Sequence, residues 1–168
     1  YVMIALGWNE DNPTDGTMNE ANLKANLEIL ASDCAALGVT PIFVTPTTNL
    51  NSIGTDPDIT YALGNTRFNK ARFIRGFAGE HGYLCLDLNE RMYHTLSQLP
   101  LDQLMEFYTG TCAAESNKSP SKDTTHITED AAAMVSGLLR DLLAESSCPL
   151  KDRLKSSPVS IRGVTAQI

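Results

Sequence analysis

The 168-residue chain predicts an α/β domain built on a parallel sheet with helices on both faces. Two observations carry this. Short apolar runs at 1–6, 39–45 and 83–88 read as strands, and each is followed by a longer stretch with helical spacing. Glycines at 38 and 82 close the helical stretches just before the next strand, where a left-handed stop is wanted.

Taken in order, the first strand empties into Gly7-Trp8-Asn9-Glu10 and a polar, turn-rich loop containing Pro13 and Gly16. Thr17 with Glu20 forms a capping box, so a helix is expected to begin there. Its inner face is expected to be Leu23, Leu27, Leu30, Cys34 and Leu37. The second strand tolerates Pro41 near its start. Residues 46–65 form a loop too long to be a mere connection, and such loops often carry binding function. A helix over 66–81 follows, with Phe68, Ala71, Ile74 and Ala78 inward, and then the third strand. Two short helices are expected at 90–99 and 101–108, and an irregular stretch covers 109–122. The last helix, 129–145, is capped by Thr128, with Glu129 and Asp130 in its first turn and Ala132, Val135, Leu139 and Leu142 inward. Residues 1–147 therefore read as one domain, and 148–168 as an irregular, locally basic tail.

The 42% apolar content allows one core of useful size, and no run approaches the roughly 18 apolar residues of a membrane span. A net charge of −7 without a Lys- or Arg-rich stripe argues against nucleic acid. The chain opens inside a strand with no Met and no signal peptide, so a truncated start is expected, with any secretory leader upstream. Cys34, Cys85, Cys112 and Cys148 lack metal-type spacing. The first two read as small buried hydrophobes; a Cys112–Cys148 disulfide is left open.

Ligands of open α/β sheets sit beyond the carboxyl ends of the strands, which is where Trp8, Asn9 and Thr47 fall. Asn9 can donate its amide to a developing oxyanion, with Gly7 permitting the tight turn beside it. It can equally close an Asx-turn. Asp123 and His126 stand three apart ahead of the last helix. A carboxylate that accepts the imidazole Nδ1–H fixes the tautomer and leaves Nε2 to take a hydroxyl proton. The alternative is a solvated helix-entry turn. His81 and His94 suggest no chemistry, and the acidic loop at 10–15 fits a calcium site poorly because Pro13 occupies a ligand position. Arg67, Lys70, Arg72 and Arg75 read as a solvated helix face, or as a surface for an acidic polysaccharide.

With these residues in hand, the chain resembles the SGNH (GDSL-type) ester hydrolases, most nearly the rhamnogalacturonan acetylesterases. Gly7-Trp8-Asn9-Glu10 is similar to that family's G-x-N-D block with Glu10 in place of Asp, and Asp123-Thr124-Thr125-His126 to its D-x-x-H block. The stretches 41–46 and 66–68 and the tail from Cys148 are also similar. The resemblance implies a flavodoxin-like three-layer α/β/α sandwich truncated by its first strands. It implies Asn9 as oxyanion donor, His126 as general base and Asp123 as its orienting acid. The substrate implied is an acetylated plant cell-wall polysaccharide or a small ester, acted on by a secreted monomer without metal or organic cofactor. Trp8, Thr47 and Arg67 are the candidate sugar contacts.

The chain departs from the family at the nucleophile. No serine stands in a Gly-Asp-Ser or G-x-S-x-G context, and nothing near Ser52 would activate it. The chain by itself is therefore expected to be inactive, and the alternative is a non-catalytic carbohydrate- or protein-binding protein of the same fold.

Overall fold

The computed structural model describes residues 1–7, 19–48, 66–108 and 126–154, the side chains of 66–69, 101, 102 and 105 excepted. Three strands, β1 (Val2–Ala5), β2 (Pro41–Val44) and β3 (Leu84–Leu86), pair in parallel in the order β1-β2-β3. The register sets Ile4 opposite Phe43, and Phe43 opposite Cys85. Between strands run α1 (Glu20–Ala36) and α2 (Thr66–His81); after β3 come α3 (Leu88–Leu96), α4 (Leu101–Glu106), α5 (Glu129–Glu145) and a 3-10 turn, Pro149–Arg153.

Because side chains alternate across a strand, β2 feeds two cores. Phe43 joins Ile4 with Leu23, Leu27, Ala31 and Cys34 of α1 and Ile74, Phe77 and Ala78 of α2. Ile42 and Val44 face the other way, with Leu86, toward Met92 and Leu96 of α3, Leu104 of α4 and Met134 and Leu138 of α5. The result is a three-layer α/β/α arrangement on a parallel sheet, a flavodoxin-like α/β fold. Both crossover helices lie on one face, as consecutive same-handed crossovers of a sheet that grows in one direction require.

Several expectations are corrected. Asn19, not Thr17, caps α1: its side chain accepts from Asn22 N at 3.0 Å, and Thr17 lies outside the described residues. Leu37 is 78% exposed because the helix has ended, Leu37 being its C-cap before Gly38 turns the chain left-handed at φ +64°. The inner stripe of α5 is Ala131, Met134, Leu138 and Leu143, one residue round from the expected one; Val135, Leu139 and Leu142 flank it. Its apolar arc is wide, and packing against α3 and β3 chooses the centre. The segment beyond α5 is not irregular at its start, since Cys148 is buried and Leu150 and Leu154 pack on the second core. Cys34, Cys85 and Cys148 are all free thiols, so Cys148 is not in the disulfide left open above. Among the described residues no helix is long and apolar enough to cross a membrane.

Candidate functional site

Parallel strands send all their following turns to one edge, and three such turns meet here. After β1 the chain bends at Gly7, whose φ of +103° disfavours any side chain. A Cβ there would come within 3.1 Å of Pro46 Cγ and 3.2 Å of Ile74 Cδ1, so this glycine is required twice over. Trp8 and Asn9 follow directly in sequence and lie outside the described residues, as do Asp123 and Ser52.

The turn after β2 is held by polar bonds from the turn after β3. Thr45 Oγ1 donates to Asp87 Oδ1 at 3.0 Å and accepts from Asn89 N at 2.8 Å. Asn89 Nδ2 donates to the carbonyl of Pro46 at 3.0 Å. Asp87 also caps α3, accepting from Glu90 N, and pairs with the Arg75 guanidinium, which reaches Glu90 as well at 3.1 Å. Burial penalises the Asp87 charge, but bonds to Arg75 and Glu90 outweigh it and hold the carboxyl below its ordinary range. Its hydrogen bond with Asp87, together with some burial, pushes the Glu90 carboxyl up. Burial, with Asp87 nearby, pushes the Cys85 thiol up to about 12, which makes it a poor nucleophile.

The third participant arrives from the far end of the chain. Tyr108 and Ile127 form an antiparallel bridge, Thr128 N donates to Phe107 O at 3.0 Å, and Thr128 Oγ1 donates to Glu106 O at 3.0 Å while capping α5. Tyr108 is 2% exposed, and its hydroxyl donates to the carbonyl of Thr48 at 3.0 Å. The turn holding the exposed His126 is thereby tied to segment 46–48, the same segment against which Gly7 packs. Of the expected site residues, His126 and Thr47 are described with their side chains; Arg67 is placed by its backbone in the first turn of α2.

Among its described side chains, the basic helix face is solvated only in part. Lys70 is completely buried and Arg75 is engaged with Asp87 and Glu90; Arg72 is exposed. A separate cleft of about 720 Å³ lies between α1 and α2, lined by Glu20, Lys24, Arg72, Phe73, Phe77 and Glu80 among others; among the described residues neither Thr47 nor His126 lines it. Among the described residues no cluster of three His, Cys, Asp or Glu side chains has metal-binding proximity.

No protein-family model matches the chain, and no curated protein matches it. Among solved structures it is similar to the crystal structure of the protein YxiM from Bacillus subtilis, with a TM-score of 0.62 at 22% sequence identity. The match covers 90% of this chain and 36% of YxiM, so the chain spans about a third of the length of that structure. At this identity the likeness is one of fold.

Proposed function

We propose that the carboxyl edge of the sheet is the base-and-oxyanion part of a serine ester hydrolase site that deacetylates a plant cell-wall polysaccharide such as rhamnogalacturonan, in a secreted protein. What supports this reading most is the convergence of two distant segments. The His126 turn, through Tyr108 and Thr48, and Gly7, through Pro46, abut one three-residue stretch after β2. The G-x-N and D-x-x-H blocks flank those contacts in sequence.

In this reading Asp123 orients the His126 imidazole, His126 takes the proton from an attacking serine hydroxyl, and Asn9 donates to the tetrahedral oxyanion. The acyl-enzyme then forms with loss of the sugar alcohol, and water releases acetate with His126 again as base. Trp8, Thr47 and Arg67 contact the sugar. This sequence has no serine in a nucleophile motif, so the chain alone has the base and the donor without the nucleophile. The second reading is a non-catalytic carbohydrate- or protein-binding protein of this fold.

Acetate release from acetylated rhamnogalacturonan by the product of the entire reading frame separates the two. The esterase reading expects turnover that His126→Ala abolishes and Asn9→Ala lowers by roughly 10² to 10³. Turnover that survives His126→Ala rules out the mechanism, and no turnover at all leaves the binding reading.

A further inference from the structure

We infer that the Thr47 hydroxyl is a ligand-binding group that hydrogen-bonds an oxygen of the bound substrate, either the acyl carbonyl or a sugar hydroxyl; the inference rests on the reading of this edge as a carbohydrate-ester site. Thr47 is 6% exposed, yet Oγ1 makes no hydrogen bond, and among the described residues it is the buried side-chain polar atom left so. Burying a hydroxyl without a partner is unfavourable, so native chains rarely leave one unless something outside the protein satisfies it.

Its neighbours make the omission pointed. Thr45 is bonded through its hydroxyl to Asp87 and Asn89, the Pro46 carbonyl accepts from Asn89, and the Thr48 carbonyl accepts from Tyr108. Thr45, Pro46 and Thr48, its described neighbours in the chain, are thus each held by a group from another part of the fold. A stretch fixed this firmly presents its remaining hydroxyl in one geometry, which is the preorganisation that recognition of a small polar group requires. Its chain neighbours lead to both halves of the proposed site: Pro46 lies against the Gly7 turn, and the Thr48 carbonyl accepts from Tyr108, which bridges Ile127 beside His126.

The test pairs thermal unfolding with calorimetric titration of this chain, using an acetylated rhamnogalacturonan oligosaccharide and its de-esterified form. Thr47→Val keeps the shape and removes the hydroxyl; Thr47→Ser keeps the hydroxyl. We expect T47V to unfold at the same or a higher temperature than wild type and to bind the acetylated oligosaccharide about tenfold more weakly, with T47S retaining most of the affinity. A loss confined to the acetylated probe assigns the partner as the acyl carbonyl, and an equal loss for both probes assigns a sugar hydroxyl. Unchanged affinity in T47V, or a lowered unfolding temperature, overturns the Thr47 assignment while leaving the edge as a site. A wild-type chain that binds neither oligosaccharide overturns the assignment together with the reading it rests on.

Discussion

Asp87 shows how much a single side chain arranges at the sheet edge. It caps α3, holds Thr45, and receives Arg75 from α2, so three elements depend on one carboxylate. Replacing it by Asn should cost about 1–3 kcal/mol at neutral pH, because Arg75 loses its main partner while a half-buried network loses an acceptor. The pH dependence follows from the lowered folded pKa. Asp87 stabilises the protein above its unfolded value of about 3.9, and this contribution disappears as pH falls through the folded value. Urea midpoints from pH 7 to pH 3 should therefore show the gap between wild type and D87N closing toward acid; a constant gap would contradict this account. Little of the network was legible in the sequence. Reading the third strand through to residue 88 hides Asp87 as a cap, and the register that pairs Val44 with Leu86 is what brings Thr45 beside it. Lys70 was misread because its charge outweighed its position, four residues before Ile74 on the buried arc of α2.

At the scale of elements, the start of α5 matters most, because it carries His126. Thr128 was readable as its cap from the acidic first turn that follows, and its side chain accepts from Ala131 N as that reading requires. Its second bond, to Glu106 O, joins segments 22 residues apart, and no local pattern announces it. Thr128→Ala should destabilise by about 1–2 kcal/mol in thermal or urea unfolding, with Thr128→Ser retaining most of the stability. Tyr108→Phe tests the link to the β2 turn. It removes the buried hydrogen bond to the Thr48 carbonyl, with a cost of about 1 kcal/mol, and should shift the His126 ring resonances in an NMR spectrum. His126 resonances that do not move would detach the imidazole from segment 46–48.

For the whole molecule, the alternation of strand and helix was enough to predict a parallel sheet covered on both faces, because that alternation is a property of the sequence itself. The order of the strands and the split of β2 between two cores needed the structure. Among the described residues, the β1 margin of the sheet is apolar and exposed. Tyr1, Val2 and Met3 are exposed, Met3 by 46%, and among the described residues no strand pairs with the outer side of β1. An uncovered apolar strand is a site for edge-to-edge association. Met3→Lys should therefore raise the concentration at which light scattering reports aggregation, and an unchanged onset would locate the association elsewhere. The central claim, that Asn9, Thr47 and His126 serve one ligand, is tested most directly by NMR titration with the acetylated oligosaccharide. The Asn9 side-chain amide, the Thr47 amide and the His126 ring should move together along one binding curve. Shifts gathered instead around Phe73 and Phe77 in the α1–α2 cleft, or a His126 ring that stays put while Asn9 moves, would contradict it.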